Sequence, residues 1–467
     1  MQQRSVLPTQ VLRHRDHRLS GTFAILDFQV PSPVSRFSGT FAFLDFQVPS
    51  PFPPSFLHFL PSFPLHDIES KRLNITMSDR FRTLINDSLE IDLDRSAGNE
   101  GAKQIGKALM DPNAKVQELN LQWNNIVVDG AAALAKGLKK NATLQMLDLS
   151  SNLMSDKGAT ALSKGLKVNS TLQTLKIAYN KISNGGATAI AKALRNNSTL
   201  QKIDLEGNGI GDEGARALAE GVIAHSTVQK INLSSNQIGD EGATTIAEAL
   251  KINVTLLSLN LCQNHIQKDG ATAIAKALTS SPEVLWKFLS NDKFKVDRAT
   301  NSVKEYTVNS TLQVLDLGFN SIGDEGALAI AEALEFSSTL QILLLHSTCM
   351  YDDGATAIAK ALKHNSTLQK LYLSNNFIED YGAIVLAGAL KINPSLEEMS
   401  LRGNRISDAL SRRISVLLLK ENRDKRRELS TTSRAKKQKL GDKRDDDAPT
   451  PQQVSKLPAA ASATSSQ

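Results

Sequence analysis

The chain repeats itself every 28 residues, and that period limits its fold more than any other feature of its 467 residues. Leu144-Gln-Met-Leu-Asp-Leu-Ser-Ser-Asn-Leu-Met154 returns as Leu172…Asn180-Lys-Ile182, Leu200…Asn208-Gly-Ile210, Val228…Asn236-Gln-Ile238 and Leu256…Asn264-His-Ile266. The register reaches back to Val116…Ile126 and forward through Leu312…Ile322, Leu340…Met350, Leu368…Ile378 and Leu396…Ile406. With a frame at Val284, 11 units run over residues 116–423. Length alone, at roughly 100–200 residues per domain, points to several domains. A repeat array overrides that expectation, because it grows by adding units to a single stack.

Each unit divides into two halves. In the first, apolar residues such as Leu147 and Leu149 alternate with polar ones, as in a short half-buried strand. In the second, Ala243, Ile246, Ala247 and Leu250 fall at the spacing of one apolar helical stripe. Asp156, Asp212, Asp240, Asp324, Asp352 and Asp380 stand just before this helix, where a carboxylate can accept its unpaired N–H groups. Asn124, Asn152, Asn180, Asn208, Asn236, Asn264, Asn320, Asn376 and Asn404 recur at position 9, where an amide can satisfy backbone that the turn would otherwise bury. The expected fold is an α/β solenoid of about 11 units of 28 residues, curved like a horseshoe, with parallel strands on the concave face and helices on the convex face.

The Leu-x-x-Leu-x-Leu-x-x-Asn-x-Ile half, joined to Gly-Ala-x-Ala-Ile-Ala-x-Ala-Leu, resembles the ribonuclease-inhibitor-type leucine-rich repeat over about two thirds of the chain. It is similar to the repeat arrays of NOD-like (NLR) immune receptors and of the activator protein for the Ran GTPase. The resemblance implies an intracellular protein-binding scaffold, with regulation of a small GTPase or an innate-immune recognition module as alternatives. The chain departs from both relatives: no nucleotide-binding domain precedes the repeats, and the tail is basic where the Ran activator's repeats are followed by an acidic stretch.

The array has distinct flanks. Residues 1–76 carry an 18-residue tandem duplication, Ser20–Pro33 returning as Ser38–Pro51, and hold ten of the 16 Phe among many Pro, so this segment is expected to be poorly ordered. Met77 is a candidate true start. Residues 77–115 read as an N-terminal cap, 116–423 as the repeats with 284–311 degenerate, and 424–467 as a disordered basic tail. Lys425, Arg426 and Arg427, followed by Lys436, Lys437 and Lys439, have the two-cluster form of a nuclear import signal, so the expected location is cytoplasmic or nuclear. The positive charge sits in the ends, +2 over residues 1–76 and +5 over 420–467, and the region between them is −1. A nucleic-acid partner is therefore not expected. The absence of a long apolar run argues against a membrane-spanning helix.

The chemistry-bearing candidates have blander explanations. Gly101-Ala-Lys-Gln-Ile-Gly-Lys-Ala108 nearly matches a phosphate-binding loop but lacks the hydroxyl residue, and it fits the helix half of the cap. The Asn-x-Ser/Thr sites at Asn141, Asn169, Asn197, Asn253, Asn309 and Asn365 follow the 28-residue frame, so they read as helix-ending asparagines in the left-handed conformation rather than as glycosylation acceptors. The eight His are scattered without His or Cys clusters, so no metal, cofactor or small-molecule substrate is expected, nor any catalysis.

One unit breaks the pattern. At 284–311, Lys287 replaces the strand leucine, Asp292 the asparagine and Arg298 the glycine, yet the register resumes at Asn309. Projection of the strands onto the inner face makes Trp286, Phe288, Val314, Phe319, Ile342, Leu344 and Tyr372 an apolar patch, following charged units that carry Glu118, Asp148, Lys176, Lys202, Asp204 and Lys230. Such a patch is where a partner protein is expected to dock.

Overall fold

The computed structural model describes residues 76–195, 197–224, 227–279, 309, 311–414 and 416. The segment 1–75, nearly all of the unit at 284–311 with Trp286 and Phe288, and the tail with its two basic clusters lie outside those residues.

Among the described residues, eleven strands of three residues each form one parallel sheet in chain order. They are β1 (Glu90–Asp92), β2 (Glu118–Asn120), β3 (Met146–Asp148), β4 (Thr174–Lys176), β5 (Lys202–Asp204), β6 (Lys230–Asn232), β7 (Ser258–Asn260), β8 (Val314–Asp316), β9 (Ile342–Leu344), β10 (Lys370–Tyr372) and β11 (Glu398–Ser400). The middle residue of each strand, such as Leu119, Leu147 or Leu175, points into the core and is buried. The flanking residues face the other way. Helices such as Val128–Leu138 and Asp240–Ile252 return the chain and bury their Ala, Ile and Leu stripe against the strands. Small residues bring neighbouring helices close: Gly106, within the helix Gly98–Ala108, lies against the backbone of Ala133, where a Cβ would collide. The near match to a phosphate-binding loop thus forms helix interior.

Two asparagine ladders stitch the units together. At position 9, Asn152 donates from Nδ2 to Leu121 O and Leu149 O, both at 2.9 Å, while its Oδ1 accepts from the N–H groups of Asn124 (3.0 Å) and Ile126 (2.9 Å). Asn208, Asn236, Asn264, Asn320 and Asn404 make the same bridge to the preceding unit. The second ladder is built from the Asn-x-Ser/Thr asparagines. Asn169 donates to Leu138 O (2.9 Å) and Asn141 O (3.1 Å) of the preceding unit and accepts from Thr171 N and Leu172 N. None of these asparagines has a positive φ, so the left-handed explanation is corrected: they are buried cross-unit staples. Asn393, hidden from the glycosylation pattern by Pro394, belongs to the same ladder. Left-handed residues sit elsewhere, many of them in the turns after the strands, among them Trp123, Ser151, Tyr179, Ser235, Gln263, Phe319, Ser347 and Asn375.

The helix-start aspartates also act differently from expectation. Asp212 Oδ1 accepts from Gly239 N (2.7 Å) and Gly242 N (3.0 Å), at the helix of the following unit. Asp240 does the same for Gln267 and Gly270, and Asp324 for Tyr351 and Gly354. Each aspartate therefore caps its neighbour's helix rather than its own. The recurrent glycine follows from this, since a Cβ on Gly242 would lie 2.6 Å from Asp212 Oδ1.

The unit at Val284 departs from the expected array. β7 pairs directly with β8, placing Ser258 opposite Val314 and Asn260 opposite Asp316. Both ladders cross the same seam: Asn320 donates to Leu261 O at 2.9 Å, and Asn309 to Leu250 O at 3.0 Å and to Asn253 O, 56 residues away. The backbone N–H of Asn309 reaches Ala277 O at 3.1 Å, closing the chain there. The units from Val116 onward thus supply ten of the eleven strands, and β1 comes from the capping segment. The substitutions at 284–311 give the physical reason. In the array frame Lys287 would occupy the buried mid-strand position, and Arg298 would replace the glycine that admits the neighbour's carboxylate. Burying an unpaired lysine is strongly unfavourable.

Candidate functional site

The strand face presents the two outer residues of every strand and the turn that follows. Over β2–β7 the polar residue that ends most strands is committed to the backbone. The last strand residue accepts the N–H two residues on: Asn120 from Gln122, Asp148 from Ser150, Asp204 from Glu206, Asn232 from Ser234 and Asn260 from Cys262, at 2.9 to 3.1 Å. Asp148 is buried and pairs with Lys176 Nζ at 3.1 Å. Tyr179 Oη donates to Glu206 at 2.7 Å, and that bond, with burial, pushes the phenol up to about 12. Burial pushes the Asp204 carboxyl upward, with Glu206 and Asp148 adding to it. Of the charged residues read from the sequence on this face, Asp148 and Asp204 thus also cap the strand ends.

From β8 onward the face changes. Val314 stands in register with Ile342, and Leu344 with Tyr372, all four half-exposed. Tyr372 Oη donates to Glu398 at 2.9 Å, and Lys370 pairs with the same carboxylate at 3.1 Å, so a polar border closes the patch on the β11 side. Burial and the bond to Glu398 raise the Tyr372 hydroxyl, while Glu398 is lowered by Tyr372 and Lys370. Phe319 differs from its sequence placement. It lies three residues beyond β8, in a left-handed turn at φ 51, 52% exposed and edge-on to His346 with ring centres 5.0 Å apart. The structure therefore brings four of the seven predicted residues, Val314, Ile342, Leu344 and Tyr372, onto adjacent strands, places Phe319 in the turn beyond them, and leaves Trp286 and Phe288 outside the described residues.

Sequence reading missed a cluster beside this patch. Cys262, two residues past β7, Asp316, at the end of β8, and His346, two residues past β9, hold their ligand atoms within 4.8 Å of one another. The Cys262 Sγ to His346 Nε2 distance is 3.8 Å. Asp316 accepts from Gly318 N at 2.9 Å, and burial raises its carboxyl against the opposing pull of that bond and of His346. Burial, with Asp316 and Glu206 near, pushes the Cys262 thiol up to about 12. The expectation that no histidine joins a cysteine is thereby corrected. These residues are far apart in sequence, and only the β7–β8 pairing makes them neighbours.

A family model described as leucine-rich repeat matches residues 113–135, 140–163, 168–191, 196–219, 224–247, 253–275, 308–331 and 364–387. No curated protein matches the sequence. Among solved structures, the chain is similar to the Rad7–Elc1 complex of yeast, at 15% identity over 71% of this chain and 74% of that one, with a TM-score of 0.42. It is also similar to an internalin of Listeria monocytogenes, at 16% identity over 70% and 84%, with a TM-score of 0.37. Actin-binding site 2 of leiomodin-1 matches at 21% identity over 29% of this chain and 78% of that one, with a TM-score of 0.26. With its repeat matches, its single parallel sheet and its asparagine ladders, this chain is a leucine-rich-repeat protein.

Proposed function

We propose that the chain is a protein-binding scaffold whose partner docks on the strand face at β8–β10, with Val314, Ile342, Leu344 and Tyr372 as the contact and Phe319 at its edge. One observation carries this reading: these apolar side chains are half-exposed on adjacent strands in register, whereas the strands before them present exposed charges such as Lys202 and Lys230 and end on residues such as Asp148 and Asp204 that are engaged with backbone. A rigid, preformed face avoids much of the ordering cost of association. Aromatic and aliphatic anchors in such a patch contribute about 1–2 kcal/mol each, or roughly tenfold in affinity per 1.4 kcal/mol.

The test compares partners captured from the native cell by the full chain and by an Ile342→Ser, Leu344→Ser, Tyr372→Ser variant of equal thermal midpoint. The reading expects a partner that binds the purified wild-type chain directly and is lost or weakened at least about 100-fold by the variant. Equal binding by both proteins overturns it. A small GTPase as that partner, with faster GTP hydrolysis on addition of the chain, would refine the function to GTPase regulation.

A further inference from the structure

We propose that Cys262, Asp316 and His346 form a zinc-binding site on the strand face, assembled by the direct pairing of β7 with β8. Their donors are a thiol sulfur, a carboxylate oxygen and an imidazole nitrogen, the set that a borderline-soft divalent ion takes. A tetrahedral ion about 2.3 Å from sulfur and about 2.0 Å from nitrogen sets those two atoms about 3.5 Å apart. Sγ of Cys262 and Nε2 of His346 stand at 3.8 Å, within a small side-chain adjustment of that spacing.

The fold makes room for this arrangement. Cys262, Gly318 and His346 occupy the same place after three successive strands, so the imidazole must cross a whole strand to reach the sulfur. It does so over Gly318, where a Cβ would overlap the ring. Corresponding positions in other units hold Gln122, Ser150, Ala178, Glu206, Ser234 and Ser374. The Gly318 N–H fixes the Asp316 carboxylate at 2.9 Å, and Phe319 packs edge-on against the His346 ring, so two ligands are already oriented by neighbours. Three protein ligands leave a fourth position for water or for a donor from a bound partner. The ion bonds the thiolate, and the thiol proton passes to solvent.

The full-length chain, stripped with a chelator, is titrated with cobalt and then with zinc. The expected result is one cobalt per chain with a thiolate-to-metal charge-transfer band that zinc abolishes. The band disappears in Cys262→Ser and persists in Cys349→Ser. His346→Gln and Gly318→Ala weaken binding at least about tenfold, the scale on which even an outer partner of a ligand tells. In Gly318→Ala the displaced group is the movable imidazole, so the fold should survive, and circular dichroism checks this. No thiolate band in the wild-type chain, a band that survives Cys262→Ser, or unchanged affinity in folded His346→Gln and Gly318→Ala overturns the proposal.

Discussion

Asn152 shows how much a single repeated side chain holds. Its amide joins the backbone of two units through five bonds, and it is 2% exposed. Asn152→Ala leaves the Asn124 and Ile126 N–H groups and the Leu121 carbonyl without that partner, each a cost of about 1–3 kcal/mol. Urea unfolding should show a loss of about 3 kcal/mol or more, against about 0.5 kcal/mol for Lys157→Ala on the exposed helix surface; equal small losses would contradict the ladder. The need for Asn at position 9 was legible in the sequence because a buried turn must pair its polar groups. The second ladder was legible only as a recurrence. Asn169 could equally have ended a helix in a left-handed turn, and nothing in a one-dimensional pattern shows that its amide reaches Leu138 instead. Cys262, Asp316 and His346 carried no signal at all, since their proximity depends on which strands are neighbours.

At the scale of the element, a helix such as Asp240–Ile252 or Asp352–Leu362 is capped by the unit before it. Asp212→Ala removes the acceptor of Gly239 N and Gly242 N, a cap whose loss costs about 0.5–2 kcal/mol. Hydrogen exchange should then quicken at the start of Asp240–Ile252 and leave the start of Asp212–Ala224 unchanged; the reverse pattern would restore capping within one unit. The seam supports a second prediction. Removing residues 281–308 joins Leu278-Thr-Ser to Asn309-Ser-Thr-Leu312, which reads like Leu166-Lys-Val-Asn169-Ser-Thr-Leu172. Because the described bonds already connect 277 with 309 and β7 with β8, the shortened chain should fold with an equal or higher urea midpoint. A chain that fails to fold, or loses cooperativity, would mean that the excised stretch is part of the stack.

Over the whole molecule, the repeat period made the α/β solenoid legible, and the same period concealed the direct pairing of β7 with β8. A stretch one unit long leaves the phase of every later unit unchanged, so the register at Leu312 looks the same whether the preceding 28 residues pair in the sheet or not. The signs in the sequence were chemical: Lys287 where the frame calls for a buried leucine and Arg298 where it calls for a close-approach glycine. The direct β7–β8 pairing places Val314 on the face beside Ser258, and brings Cys262 to Asp316 and His346, so the site rests on it. Disulfide trapping tests it, in a chain carrying Cys262→Ser and Cys349→Ser, because a disulfide forms only where Cα atoms lie within about 7 Å. Ser258→Cys with Val314→Cys should crosslink under mild oxidation as readily as the control pair Lys230→Cys with Ser258→Cys on β6 and β7. A control that crosslinks beside a Ser258–Val314 pair that does not, with Trp286→Cys trapping Val314→Cys in its place, would contradict the account.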